Sequence, residues 1–191
     1  YRRGSQSSGD IDVIITGNSP AVYKNFIDEL IKQGIIINVL SRGLSKTLVI
    51  AKLPGYSVAR RVDFLYSPPE EFAFAILYFT GSKAFNTVMR QKALDQGYTL
   101  NEHGISVMEN KVKGQKVDRL FNSEKDIFDF LKLEYKTPIE RRDGRAVIEI
   151  SEKVAPTQMK AVVADIPVKT ETHQTSPTQM KEPIVAEKKK N

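Results

Sequence analysis

Hydrophobic residues in the first third of the chain occur first as a short run and then at a helical spacing. Residues 10–16 form a mostly apolar run that predicts a buried β-strand. Ser19-Pro20 follows as a helix cap and a first-turn proline, and Gly34 ends the helical pattern. Between them, apolar residues recur every four positions at Val22, Phe26 and Leu30. This spacing predicts an amphipathic helix whose apolar side packs on a sheet.

Three further apolar runs predict additional strands in the same part of the chain. They cover residues 35–39, 48–53 and 58–65, and the turn-rich residues 41–46 join the first two of them. Because these strands are accompanied by a single helix, the pattern indicates a lobe of the α/β or α+β class.

The middle of the chain predicts a second, smaller lobe. Residues 68–78 begin with two prolines and two glutamates, which suit the first turn of a helix. A break at residues 79–82 precedes another expected helix at residues 83–96. A small hairpin is expected over residues 98–107, and residues 123–126 resemble a capping box at the start of a last helix.

The chain is therefore predicted to be an α+β protein in three parts. The first lobe covers residues 1–76 and the second residues 77–145. A disordered tail is expected at residues 146–191, because proline, lysine, glutamate and small aliphatic residues bury too little surface to fold. The sequence Pro-Thr-Gln-Met-Lys occurs at 156–160 and again at 177–181. As an alternative, this repeat is a duplicated docking motif for a repair protein.

Composition excludes several classes of chemistry. The 191 residues include no cysteine and two histidines, so disulfides and thiol nucleophiles are absent and a zinc site is disfavoured. No apolar stretch approaches the ~20 residues of a membrane span, so no membrane partner is expected. The formal net charge of +6 favours a polyanionic partner.

Two aspartates at the beginning of the first predicted strand are candidate metal ligands. Asp10 and Asp12 are two positions apart, which on a strand places them on one face, roughly 7 Å apart. A third carboxylate, Asp63, belongs to another predicted strand. Carboxylates gathered at a buried strand need a cation to offset their repulsion, and Mg²⁺ accepts carboxylates together with substrate phosphates. Turns, helix caps and solvated strand edges also contain Asp-x-Asp, so that alternative stays open.

A basic and glycine-containing segment precedes these aspartates. Arg2-Arg3 and Ser8-Gly9 lie where a tight turn would bring backbone N–H groups and positive charge to an anion. The combination of carboxylates, arginines and a glycine turn predicts a protein that handles nucleotides.

Six motifs occur in a fixed order along residues 1–143. They are Tyr1-Arg2-Arg3-Gly4 with Ser8-Gly9-Asp10-Ile11-Asp12, Arg60-Arg61-Val62-Asp63, Tyr78-Phe79-Thr80-Gly81-Ser82, Asn86 with Met89-Arg90, Leu100-Asn101-Glu102-His103, and Tyr135-Lys136-Thr137-Pro138 with Glu140-Arg141. The ordered set resembles the X-family DNA polymerases, the beta and lambda group. This resemblance implies a nucleotidyltransferase palm with a mixed or antiparallel sheet, followed by a small nucleotide-selecting lobe.

The resemblance implies gap-filling DNA synthesis in base excision repair. Deoxynucleotides from dNTPs would be added to a primer 3′-hydroxyl on gapped or primed duplex DNA, with two Mg²⁺ ions that Mn²⁺ can replace. Asp10, Asp12 and Asp63 would be the catalytic and metal-binding residues, with Asp63 accepting the primer proton. Alternatively, Asp63 pairs with Arg61 only to close the sheet.

The resemblance also implies binding roles for other residues. Those expected to contact the nucleotide are Arg3, Ser8, Gly9, Tyr78, Phe79, Gly81 and Asn86. Those expected to contact DNA are Arg61, Tyr78, Arg90, Glu102 and His103. Asn86 and Arg90 are four residues apart and share one helix face, which suits two contacts to the same nascent base pair.

Two other functions remain open at this stage. One is a nucleotidyltransferase that acts on RNA ends or a small acceptor, and the other is a catalytically silent DNA-repair scaffold. The missing amino-terminal part of the family pattern leads us to expect a fragment with weak activity alone. For a eukaryotic source, the expected location is the nucleus.

Overall fold

The first lobe is built on a four-stranded mixed sheet. The computed structural model describes residues 1–9 and 11–151. The strands are β1 (Ile11–Thr16), β2 (Ile36–Arg42), β3 (Lys46–Ala51) and β4 (Arg60–Ser67), in the spatial order β1-β4-β3-β2. β1 pairs with β4 in parallel, and the other two pairings are antiparallel. The predicted α+β class is thereby confirmed.

One helix covers one face of this sheet. α1 (Pro20–Lys32) begins after Ser19, whose hydroxyl accepts a hydrogen bond from the backbone N–H of Ala21. Tyr23 and Ile27 are its buried residues, and the Tyr23 hydroxyl donates to the Thr47 hydroxyl of β3.

The buried side of α1 is centred on two residues next to the predicted apolar stripe, Tyr23 and Ile27. Val22 and Phe26 are 48% and 43% exposed, whereas Leu30 packs against the core together with Tyr23 and Ile27. A tyrosine is compatible with the buried face because its hydroxyl finds a partner on the sheet. Phe26 packs edge to face on Phe64 of β4 with ring centroids 6.0 Å apart, so the predicted packing of α1 on the sheet is confirmed at Phe26 and Leu30 and was wrong only for Val22.

The second lobe combines three helices with a three-stranded sheet. The helices are α2 (Phe72–Thr80), α3 (Lys83–Asp95) and α4 (Glu124–Phe130), and a short 3₁₀ turn at Pro69–Glu71 precedes α2. The strands are β5 (Tyr98–Asn101), β6 (Gly104–Glu109) and β7 (Val112–Lys116), in that spatial order. The predicted helices and the β5–β6 hairpin are confirmed.

β7 was not expected from the sequence. Its residues Val-Lys-Gly-Gln-Lys are all exposed, so they lack the alternation that marks a half-buried strand. Asn110 and Lys111 connect it to β6 with φ angles of 50° and 66°. Backbone pairing with β6, and not side-chain burial, therefore defines this edge strand.

The core of the second lobe is mostly aromatic and aliphatic. Phe74 of α2 packs edge to face on Phe121 with ring centroids 4.9 Å apart, and Phe85 of α3 lies 6.0 Å from Phe128 of α4. Ser123 and Asp126 form the predicted capping box at the start of α4.

The last described residues lie along the second lobe. Glu149 forms a β-bridge with Leu133 and a 2.6 Å ion pair with Lys92 of α3. Glu149 belongs to the segment that the sequence predicts as a tail. The rest of that segment, from residue 152, lies outside the described residues. Asp10 lies outside them as well. No helix within residues 1–9 and 11–151 has the length and apolarity required to cross a membrane.

Candidate functional site

The parallel pairing of β1 with β4 brings two of the predicted metal ligands together. Asp12 and Asp63 are register partners in this pairing. Neighbouring strands lie ~4.8 Å apart, and in-register residues of parallel strands point to the same face. The two aspartates are therefore adjacent on the sheet face opposite α1, because Val13, Val62 and Phe64 pack with that helix on the other face.

The Asp63 carboxylate is held by two cationic side chains. Arg61 donates from Nε to Oδ1 over 3.0 Å and from Nη2 to Oδ2 over 3.1 Å, and Lys46 Nζ lies 3.4 Å from Oδ2. The Asp63 side chain is only 5% exposed. The hydrogen bonds from Arg61 hold the pKa of this carboxyl below its ordinary value, although burial opposes the shift and Lys46 adds to it.

The sheet register explains this arrangement. Arg61 precedes Asp63 by two positions on β4, so both point to one face. Lys46 on β3 is the register partner of Leu65, which follows Asp63 by two positions on that same face. The sequence left open that Asp63 pairs with Arg61 to close the sheet, and this ion pair is present. Lys46 is a second partner, which the sequence did not indicate.

The third predicted ligand is outside the described part of the chain. Because Asp10 is not described, the proposed set of three carboxylates stays a prediction. Within residues 1–9 and 11–151, no three histidine, cysteine, aspartate or glutamate residues are grouped to hold a metal ion. The oxygen donors of Asp12 and Asp63 do fit a hard divalent cation in chemical type.

A cleft of about 500 Å³ lies beside β1, and we name it the β1–α2 cleft. It brings Arg3 and Ser8 close to Asp12, as the sequence predicts for a phosphate-binding segment. Its lining residues are Tyr1, Arg2, Arg3, Ser8, Ile11, Asp12, Ile14, Phe72, Ile76, Phe79 and Thr80. Gly9 is exposed and does not line this cleft.

A second cleft of about 400 Å³ lies between α2 and α3, and we name it the α2–α3 cleft. Its lining residues are Arg3, Tyr78, Phe79, Thr80, Gly81, Ser82, Lys83, Asn86, Thr87 and Arg90. It therefore gathers six residues that the sequence predicts as nucleotide or DNA contacts. Arg3, Phe79 and Thr80 line both clefts, which makes the two clefts neighbours.

The α2–α3 cleft is held in shape by contacts between its own walls. The rings of Tyr78 and Phe79 pack edge to face, 5.1 Å apart. The Asn86 side-chain amide donates to the backbone carbonyl of Tyr78 over 2.7 Å, which ties α3 to the end of α2. Gly81 ends α2 with a φ of 65°, a conformation that favours glycine over other residues.

Two predicted DNA contacts lie elsewhere. Glu102 and His103 form the turn between β5 and β6 and line neither cleft. The His103 Nδ1 atom is 2.8 Å from Glu71 Oε2, and Lys116 Nζ donates to Glu71 Oε1 over 3.0 Å. Glu71 therefore ties the second sheet to the start of α2, a contact that the sequence did not indicate.

Arg2 connects the amino-terminal segment to the second lobe. Its guanidinium donates to Glu124 of α4, with a shortest distance of 2.7 Å, and to the hydroxyl of Thr80. Glu124 also receives a 2.5 Å hydrogen bond from Nη1 of Arg141, which is fully buried. The wall of the β1–α2 cleft is thus fixed by an Arg2–Glu124–Arg141 cluster.

The Arg2–Glu124–Arg141 cluster contains two positive charges and one negative charge. Burial alone raises the pKa of the Glu124 carboxyl, but the hydrogen bonds and charges of Arg2 and Arg141 outweigh it and lower the pKa below its ordinary value. The Arg141 guanidinium also lies 5.2 Å from the centre of the Phe128 ring, and its Nη2 atom has no hydrogen-bond partner within the described residues. Sequence reasoning missed Glu124, because an acidic residue in a first helical turn is ordinary there.

The chain was compared with models of known protein families. The model for the DNA polymerase beta palm matches residues 1–69, and the model for the DNA polymerase beta thumb matches residues 75–142. Together they cover more than half of the chain.

Curated relatives give the same result. The chain is 38% identical over 157 residues to DNA polymerase lambda of Rattus norvegicus, covering 74% of this chain and 27% of that protein. It is 26% identical to DNA polymerase lambda of Arabidopsis thaliana, covering 74% of this chain and 30% of that protein. It is 27% identical to the DNA polymerase/3′-5′ exonuclease PolX of Bacillus subtilis (strain 168), covering 86% of this chain and 27% of that protein. The chain thus spans less than a third of the length of these relatives, and it belongs to the X family of DNA polymerases, of which it carries the palm and thumb regions.

Proposed function

We propose that this chain forms the catalytic palm and the thumb of a template-directed DNA polymerase of the gap-filling repair type. The primer 3′-oxygen would bond to the α-phosphorus of a dNTP while the bond from that phosphorus to the bridging oxygen breaks and pyrophosphate leaves. The observation that carries this proposal is the register of Asp12 with Asp63, together with the place of Asp12 in the lining of the β1–α2 cleft.

The nucleotide would lie across both clefts. Arg3 lines both of them, so its guanidinium is suited to the triphosphate, whereas Tyr78 and Phe79 line the α2–α3 cleft and would contact the sugar. The Asn86 amide, fixed by its hydrogen bond to Tyr78, would contact the base edge. In-line transfer depends mainly on such positioning and charge stabilisation.

The carboxylates are suited to a divalent cation. DNA polymerases use divalent metal ions, and we propose Mg²⁺, with Mn²⁺ as a substitute, held by Asp10, Asp12 and Asp63. When bound, such ions stabilise the negative charge of the transferring phosphoryl group. The side chains of Arg61 and Lys46 form ion pairs with the Asp63 carboxylate. We therefore expect both side chains to move away from this carboxylate before it binds a metal ion.

Asp63 is also the proposed acceptor of the primer proton, because the primer 3′-hydroxyl is expected to lie beside it. A carboxylate whose pKa is lowered by Arg61 and Lys46 is a weak base. A bound divalent cation would also hold this pKa low, so the role would depend on the closeness of Asp63 to the primer hydroxyl and not on a raised basicity.

The DNA would be contacted by basic side chains near the clefts. Arg90 lines the α2–α3 cleft and Arg61 lies on the same sheet face as the aspartates. Positive charge supplies most of the affinity for a DNA backbone. The proposed substrate is a gapped or primed duplex, as the proposed gap-filling function requires. A repair-protein partner of the repeated tail motif stays a prediction outside the described residues.

Primer extension by the full-length protein tests this proposal. A gapped DNA duplex, dNTPs and Mg²⁺ should give template-dependent extension, and Asp63→Asn should reduce it by several orders of magnitude while leaving the protein folded. Asp28→Asn is the matched control, because Asp28 pairs with Arg42 on the surface of α1, away from both clefts. Equal extension by Asp63→Asn and the wild-type protein would refute the assigned chemistry.

The choice of acceptor and the binding of dNTP separate the other two functions. Transfer to a free RNA end or a small acceptor, in preference to the gapped duplex, would identify a different nucleotidyltransferase. Failure of the wild-type protein to bind dNTP at any Mg²⁺ concentration would identify a silent scaffold.

A further inference from the structure

A segment near the end of the described chain runs along α3 from its cap residue to its last turn. We name it the strap and define it as residues 141–150. The backbone carbonyls of its first two residues accept hydrogen bonds from Ser82, the cap residue of α3, over 3.1 Å from the backbone N–H and 2.8 Å from the hydroxyl. Near its other end, Glu149 forms a 2.6 Å ion pair with Lys92 in the last turn of α3. Contacts at both ends therefore hold the strap to α3.

The strap is also fixed to the chain that follows α4. The backbone N–H of Glu134 donates to the carbonyl of Ile148 over 2.8 Å. The backbone N–H of Ile150 donates to the carbonyl of Lys132, also over 2.8 Å. Val147 packs against the core of the second lobe. The strap therefore lies between α3 and a second anchor, and it cannot move away from the helix without breaking these contacts.

The strap approaches α3 most closely at Gly144. A Cβ atom built on this glycine would lie 2.4 Å from Cγ2 of Val88 and 3.4 Å from the carbonyl oxygen of Ala84. The first distance is about 1 Å shorter than ordinary van der Waals contact. Valine in a helix has one strongly preferred χ1 rotamer, so Val88 does not easily turn away. A side chain at position 144 would therefore force the strap and the helix apart.

The strap and the α2–α3 cleft lie on nearly opposite sides of α3. Successive residues of an α-helix are rotated by about 100°, so Ala84, Val88 and Lys92, which meet the strap, form one stripe. The stripe that lines the cleft, which includes Asn86 and Arg90, is centred about 150° from the first. Pressure from the strap therefore displaces the helix towards the cleft.

We propose that the strap positions α3 for nucleotide selection, with Gly144 as the positioning residue at its closest contact. The inference rests on the proposed function, in which Asn86 contacts the base edge of the dNTP. Gly144 lines neither cleft, so it acts through the place of α3. Misplacement of a contacting group by about 1 Å can lower a rate about 100-fold. A displaced α3 thus impairs incorporation although every side chain that lines the cleft is still present.

The test is a steric exchange between the strap and α3 in the full-length protein. Gly144→Ala should lower kcat/KM for the correct dNTP on gapped DNA about 10–100-fold, and less for an incorrect dNTP, so that discrimination decreases. Val88→Ala alone should behave like the wild type. The double variant Gly144→Ala/Val88→Ala lacks the clashing Cγ2 atom and should recover most of the loss.

A second readout does not depend on catalysis. The Asn86 side-chain amide donates to the carbonyl of Tyr78 over 2.7 Å, so its NMR signal in protein isotope-labelled at asparagine reports the place of α3. This signal should shift in Gly144→Ala and return in the double variant. Gly114→Ala is the matched control, because it adds the same methyl group on β7, 3.3 Å from the carbonyl oxygen of Val107 and away from both clefts, and should change neither readout.

The outcomes separate this inference from the proposed function. Unchanged kcat/KM or an unshifted Asn86 signal in Gly144→Ala overturns the inference, as does a loss that the double variant does not recover, which would assign Gly144 to stability alone. A wild type that does not extend primers, combined with an Asn86 signal that shifts and returns as expected, refutes the proposed function alone.

Discussion

Replacing Glu124 with alanine would leave the guanidinium of Arg141 buried without its carboxylate partner. Arg141 is fully buried, Glu124 is 8% exposed, and their shortest contact is 2.5 Å. The remaining contacts of Arg141 are a 2.9 Å hydrogen bond from Nε to the carbonyl of Lys136 and the faces of three aromatic rings. None of these contacts neutralises its charge.

The cost follows from the burial of this pair. Removing one partner of a buried ion pair lowers the free energy of unfolding by about 3–5 kcal/mol, because the other charge is left uncompensated. The contact of Glu124 with Arg2 adds little, since the Arg2 side chain is 36% exposed and solvent screens it. For a domain of about 150 residues, the loss corresponds to a decrease in Tm of roughly 6–20 °C.

Equilibrium unfolding in urea measures this effect directly. Glu134→Ala is the matched control, because Glu134 pairs with Lys136 at the surface and its side chain is 48% exposed. That control should cost less than about 1 kcal/mol. The double variant Glu124→Leu/Arg141→Met removes both charges and should recover most of the loss. If Glu124→Ala costs no more than Glu134→Ala, the uncompensated-charge argument is wrong.

Four further predictions concern other contacts. Acid should weaken the fold through Glu124: its folded-state pKa is lowered, so its contribution is present above pH 4.5 and is lost as the pH falls below that value, which urea midpoints from pH 7 to pH 3 would show. Lys46→Ala should tighten divalent-cation binding about 2–5-fold by removing a competitor for Asp63, as measured by calorimetry with Lys24→Ala as control; unchanged affinity would contradict the competition. Ser123→Ala should cost about 1 kcal/mol of unfolding free energy through loss of the α4 cap, and a neutral result would argue against the capping box. Glu71→Gln should cost less than about 1 kcal/mol, because its partners His103 and Lys116 are largely exposed, and a larger loss would show that this contact is needed to hold the second sheet on α2.

Local signals in the sequence were sufficient for most of the secondary structure. Ser19-Pro20 and the capping box at Ser123 specify helix starts through contacts within a few residues, so the predicted α1 and α4 begin where expected. β7 was missed because its pairing with β6 leaves its side chains in solvent, where no apolar pattern is required. Tyr23 was left out of the predicted apolar face of α1 because its side chain is partly polar, and its hydroxyl finds a partner on β3.

The composition of the site was also predicted in part. The α2–α3 cleft contains Tyr78, Phe79, Gly81, Asn86 and Arg90 as the motifs imply, because these residues are close in sequence and share two consecutive helices. Glu102 and His103, by contrast, lie away from both clefts, since the turn that carries them is drawn to Glu71.

The sequence by itself determined the helices, most strands, the family and the types of side chain available for binding and catalysis, because these depend on short-range patterns. Only the tertiary structure decided which distant residues meet: that Asp12 pairs in register with Asp63, that Lys46 and Arg61 neutralise Asp63, and that Glu124 joins Arg2 to Arg141. Strand register and ion-pair partners depend on the packing of segments far apart in the chain, where each local pattern is compatible with several partners.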